Sequence, residues 1–142
     1  MNRMAFICSV LFATASLSAE DWPQFRGPNC SGVSHTTAAL PAEFSDTQHV
    51  KWVAKLGDGI GSPSIAAGRI FTSAMVDEKT IGLYAFDMKS GEQLWMRTWP
   101  VGDVDEIHLT NSHAGTTPAA DADHVYFYFS TLGMICVDAK TG

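Results

Sequence analysis

Apolar residues in this chain come in short runs, and a spacing of two recurs in them. Over Thr80–Asp87 an extended backbone places Ile81, Leu83 and Ala85 on one face and Tyr84 and Phe86 on the other. Both faces are apolar, so this strand is predicted to be covered on both sides, as in a sheet stacked between two similar sheets. Arg69–Val76, Gln93–Trp99, His124–Ser130 and Met134–Asp138 are further predicted strands, and Val50–Lys55 is predicted as the closing strand of a preceding unit. The polar stretch Asp77-Glu78-Lys79 reads as a hairpin tip. No helix-period stretch follows residue 20.

The longest apolar run lies at the start. Ala5–Leu17 carries no charge, follows Arg3, and ends in Ser16-Leu17-Ser18-Ala19 ahead of the first acids, Glu20 and Asp21. A positive start, an apolar stretch and a small-residue cut site predict a secretory signal peptide over residues 1–19, cleaved after Ala19 or Ser18. The run is shorter than the roughly 20 residues a membrane span needs, and nothing later is longer. The expected product is therefore exported, periplasmic or extracellular, with no membrane span after cleavage. Cys8 sits inside the apolar run rather than at its end, which argues against a lipid anchor. Cys30 and Cys136 remain; an oxidising compartment would allow them to pair, but two separate thiols is the simpler reading. No CxxC or Cys/His spacing of a zinc site is present.

The chain repeats itself. Ser62-Pro63 and the following Arg69-Ile70-Phe71 align with Thr117-Pro118 and His124-Val125-Tyr126 at an offset of 55. Leu83–Gly91 aligns with Met134–Gly142 at an offset of 51, so the first copy has a hairpin four residues longer, around Val76–Lys79. Length changes of this kind are what hairpin loops tolerate best. Short strands repeating at about 50 residues indicate the blades of a β-propeller. In the turn of the first copy, Asp87 and Ser90 are placed to accept backbone N–H groups, Gly91 to supply a positive φ, and Trp95 to wedge between neighbouring sheets.

The segment Ala85-Phe86-Asp87-Met88-Lys89-Ser90-Gly91-Glu92-Gln93-Leu94-Trp95 resembles the tryptophan-docking repeat of the PQQ-like, quinoprotein-type β-propellers. Cys136–Gly142 resembles a second copy, with Asp138, Thr141 and Gly142 at the motif positions and Cys136 where Ala is usual. The stretch Asp21–Val33 is similar to the start of mature bacterial proteins of this group, with Cys30 where Gly is common. His108–Pro118 is similar to the group's connection into its next blade. The resemblance implies an all-β fold: a partial PQQ-like propeller of about two four-stranded antiparallel blades, from a parent of seven or eight. It implies three parts: the signal peptide at 1–19, an N-terminal segment at 20–49 and incomplete propeller repeats at 50–142. Closed propellers have about four to eight blades, so the chain is expected to be the N-terminal part of a longer protein. Alone, its open strand edges are expected to invite aggregation.

Charge and motifs narrow the function. The chain of 142 residues carries a formal charge of −6, a poor basis for binding phosphate backbones, so no nucleic-acid partner is expected. Asp103, Asp105, Glu106, His108 and His113 form the densest group of possible metal ligands, but with no calcium-loop spacing they read as a solvated connection. His35, His49 and His124 read as surface residues. Nucleophile-elbow, phosphate-loop and HExxH patterns are absent. The resemblance then implies a non-catalytic binding or scaffold module, similar in fold to outer-membrane protein assembly factors, that offers a propeller face to a protein or small molecule. The alternative it allows is the N-terminal part of a PQQ-dependent alcohol or sugar dehydrogenase. Such enzymes hold PQQ on Ca²⁺ with an Asp base and often an adjacent Cys pair. No catalytic residue is assigned, and no cofactor is predicted outside that alternative. The residues singled out are those of the docking motif: Ala85, Asp87, Ser90, Gly91, Trp95, Asp138, Thr141 and Gly142.

Overall fold

The strands form where β-branched and aromatic residues cluster, and each reversal falls on residues suited to it. In a computed structural model, which describes residues 20–142, the chain is all-β. The predicted signal peptide lies outside the described residues. Strands β1 (Ser64–Ala66), β2 (Arg69–Asp77), β3 (Thr80–Asp87) and β4 (Gln93–Pro100) form one antiparallel sheet in that order. Strands β5 (Ala119–Ala120), β6 (His124–Phe129) and β7 (Gly133–Asp138) form a second sheet, of three strands rather than the expected four. Helix is limited, among the described residues, to one 3-10 turn at Pro28–Cys30. No helix there is long and apolar enough to cross a membrane.

The repeat is reproduced in the hydrogen-bond register. Ser64 faces Phe71 as Ala119 faces Tyr126, and Arg69 faces Asp87 as His124 faces Asp138. The first hairpin is the longer: its ladder runs out to Asp77 and Thr80, with a bulge after Met75, whereas the second ends at Phe129 and Gly133. Its tip is tied by Lys79 N donating to Asp77 Oδ1 at 2.8 Å. β1 turns into β2 through Ala67 and Gly68, both at positive φ, the geometry of a tight two-residue hairpin loop.

The sheets stack front to back. Phe71, Leu83, Ala85 and Trp95, on what we call the front of the first sheet, share one core with Val125, Phe127, Ile135 and Val137 on the back of the second. The Phe71 and Trp95 rings meet at 5.9 Å. The other face of β3 is closed too: Tyr84 and Phe86 pack with Ile70, Ala74, Trp52 and Ala54. β3 is therefore buried on both faces, as its two apolar sides predict. The sheets do not close on themselves.

Val50–Lys55 departs from expectation. It lies across the back of the first sheet but joins no ladder, because among the described residues no strand runs beside it to take its backbone groups. The N-terminal segment bonds to both sheets. Trp22 and Ile65 exchange N–H···O bonds of 2.8 Å, and Ala120 N donates to Pro23 O at 2.8 Å.

Candidate functional site

The motif residues meet at two turns built alike. After β3, Asp87 Oδ1 accepts from Lys89 N at 2.9 Å, Ser90 N at 2.8 Å and Ser90 Oγ at 3.0 Å. After β7, Asp138 Oδ1 accepts from Lys140 N at 2.9 Å, Thr141 N at 2.8 Å and Thr141 Oγ1 at 3.0 Å. Gly91 N and Gly142 N close the turns onto Asp87 O and Asp138 O, and the two glycines sit at φ of 75° and 73°. Ala85 precedes the first turn inside the core, and Cys136, its equivalent, is exposed.

Each turn receives an indole. Trp95 Nε1 donates to Ala139 O at 3.2 Å, and its ring lies against Gly142. Trp52 Nε1 donates to Met88 O at 3.1 Å, and its ring lies so close to Gly91 that a Cβ there would come within 2.5 Å of it. Glycine is required at this position twice over, by φ and by the ring. Sequence reasoning singled out Trp95 but not Trp52. The signal was present in an indole on an otherwise short segment ahead of the first repeat. Arg97 was also missed: its Nε and Nη2 donate to Gly142 O at 2.6 Å and Thr141 O at 2.8 Å, gripping the second turn from β4.

The carboxylates of these turns are committed to local work. Backbone and hydroxyl donation from Ser90, then the Lys89 amide, hold Asp87 below the usual carboxylate range. Thr141 and then Lys140 do the same for Asp138. The amides of Asp123 and His124 lower Asp121, which ties the β5–β6 turn in the same way. A carboxylate that accepts several N–H groups is a turn clamp, with its charged form favoured. Burial pushes the Tyr84 hydroxyl up.

Two clefts lie away from the turns. One, of about 360 Å³, is bounded by Asp58, Met75, Asp77, Glu78, Val104 and His113. The other, of about 330 Å³, is lined by Phe25, Ile60, Ser62 and Gly115–Thr117. Of the acid and histidine group in the long connection, only His113 reaches the first cleft. Among the described residues no three His, Cys, Asp or Glu side chains gather to hold a metal, and Cys30 and Cys136 are both free and stand apart. His108 Nδ1 meets Thr110 Oγ1 at 2.9 Å within its own exposed turn, and His124 stands 3.9 Å from Asp121, three residues away. These contacts stabilise turns. The chain matches no family model and no curated protein.

Proposed function

We propose that the two sheets are consecutive blades of a PQQ-like β-propeller, and that the protein is an exported, non-catalytic module binding a protein or small molecule at a propeller face. The observation that carries this reading is the docking of Trp52 and Trp95, each by an indole N–H to the carbonyl after the turn Asp and by its ring on the turn Gly. A contact repeated with the same atoms on successive sheets is what a stacked repeat array needs, since each sheet is too apolar on both faces to stand alone. The non-catalytic part draws support from the turn carboxylates, whose Oδ1 atoms are engaged by the amides and hydroxyls of their own turns.

Two measurements test the reading. Fusing residues 1–49 to a reporter phosphatase that is active only outside the cytoplasm is expected to give active reporter; inactive reporter overturns export. Titrating the purified protein with PQQ and Ca²⁺ while following dye-linked alcohol oxidation is expected to give no turnover. Reproducible turnover replaces the scaffold with a PQQ-dependent dehydrogenase.

A further inference from the structure

The acids of the chain divide into two kinds by what they bond. Asp87, Asp121 and Asp138 each accept amides of their own turn. Those beside the β2–β3 hairpin tip are less committed. Among the described residues, the Asp58 and Glu78 carboxylates accept no hydrogen bond and meet no cation, and Asp77 spends one oxygen on the Lys79 amide. These three stand around the cleft of about 360 Å³, where β2 turns into β3.

The cleft has an apolar floor and a charged rim. Buried Met75 and half-buried Val104 both belong to the core between the sheets and show one side to the cleft. Asp58, Asp77 and Glu78 are exposed around them, and half-buried His113 completes the wall. Backbone bonds fix the walls to one another. Met75 N donates to Asp58 O at 2.7 Å, Val101 N to Lys79 O at 2.9 Å, and Ile60 N and Gly61 N both donate to Ala114 O at 3.1 Å. Gly57 lets the Asp58 wall come this close, since a Cβ there would overlap the Met75 carbonyl. Walls tied in this way are formed before a ligand arrives, so binding costs little ordering. Asp103, Asp105 and Glu106 continue the acidic rim along the connection that carries Val104. A cleft with an apolar floor and one sign of charge around it concentrates the opposite charge. All its bounding residues lie between Asp58 and His113, and both sheets that enclose it are described.

We propose that this cleft is the docking site for a basic segment of a partner protein, which lays a Lys or Arg side chain across it. The aliphatic stem of such a side chain packs on Met75 and Val104 while its cationic head reaches the Asp58, Asp77 and Glu78 carboxylates. An anionic or a wholly apolar ligand leaves one half of the site unmatched. Ligand pockets run from about 300 to 1,000 Å³, so this cleft, at the small end, suits the side chains of a polypeptide better than a large cofactor. The inference rests on the reading of the protein as a binding module, and it names the partner's chemistry and the place it binds.

Isothermal titration at low ionic strength tests it with three probes: a blocked peptide of alternating Leu and Lys, the same peptide with Glu for Lys, and spermidine as a free cation. The Lys peptide is expected to bind, with affinity falling as salt is added, and the Glu peptide to give no heat. Spermidine is expected to bind roughly tenfold more weakly, because it lacks the peptide's apolar residues. Replacing Asp58→Asn and Glu78→Gln together is expected to weaken the Lys peptide roughly tenfold, and Val104→Thr, which changes no charge, to weaken it several-fold. Glu92→Gln removes an acid at the far end of the sheet and is expected to change nothing. Thermal melts matching the parent protein show that each variant is folded. No heat with the Lys peptide overturns the proposal. So does spermidine binding as tightly as the peptide, a Val104→Thr variant that binds normally, or a loss from Glu92→Gln equal to that from the cleft pair. Turnover with PQQ and Ca²⁺ overturns the binding-module reading instead, and is read in a separate assay from the peptide.

Discussion

At the scale of single residues, two glycines in different turns separate backbone strain from packing. Gly91 and Gly133 both hold a left-handed backbone, at φ of 75° and 77°, but only Gly91 has a ring over its Cα. Gly133→Ala should cost the left-handed penalty alone, about 1–2 kcal/mol. Gly91→Ala should cost that and also displace Trp52 from Met88 O, adding about 1 kcal/mol or more for the lost hydrogen bond. Urea unfolding of the two variants checks the order; equal losses would mean that the Trp52 ring yields freely. The turn carboxylates make a second prediction. Asp87, Asp121 and Asp138 have folded pKa values below those of the unfolded chain. Their contribution is therefore fully present above the unfolded Asp value of about 3.9 and is lost as pH falls through the lower folded values. Melting temperature should not respond to these groups between pH 5 and 8 and should drop below about pH 4. Asp87→Ala should lower it at neutral pH and flatten the acid limb, as a pH series of thermal melts would record.

Among the strands, the repeat supplies its own control. Leu83 and Met134 hold the same place in β3 and β7, but Leu83 is covered by the second sheet and Met134 faces solvent. Leu83→Ala should cost about 2–5 kcal/mol, and Met134→Ala within about 0.5 kcal/mol. Denaturant titration measures both. The contrast also explains which strands were legible in the sequence. β3 was readable because both its faces must be apolar, and β2, β4, β6 and β7 because aromatic and branched residues fill them. β1 and β5 were not: three and two residues long, they have no periodicity of their own and exist because β2 and β6 offer them an edge. Val50–Lys55 failed in the opposite direction, since its strand-like pattern comes from Trp52 and Ala54 packing on a sheet face, without any ladder. The docking turns were legible to the residue on the Asp and Gly side. Their indole side was half legible, because the partner of Gly91 lies 39 positions upstream and only folding brings Trp52 to it.

For the molecule as a whole, the question is what holds the first 30 described residues to the sheets. Residues 31–51 are exposed throughout, and within them one backbone bond, Ser45 N to Gln48 O, ties the chain to itself. Leu40 and Phe44, both 79% exposed, are ready sites for chymotrypsin, and loops so weakly bonded open at little cost. Upstream of them the chain is held again. Trp22 exchanges two bonds with Ile65 on β1, Pro23 O accepts from Ala120 N on β5, and Asp21 Oδ1 accepts from Ala67 N at 3.1 Å. The stretch Asp21–Pro23 thus spans both sheets at their β1 and β5 edges, closing across the interface that Phe71 and Phe127 fill. Limited chymotrypsin digestion should therefore cut first at Leu40 and Phe44, and the N-terminal peptide should remain bound to the sheets through native gel filtration. It should separate only in denaturant, and the nicked protein should melt close to the intact one. If the peptide is instead lost on the column with no change in melting temperature, the bonds of Trp22 and Pro23 contribute nothing to holding the sheets together, and their cohesion rests on the shared core and the Trp95 docking alone.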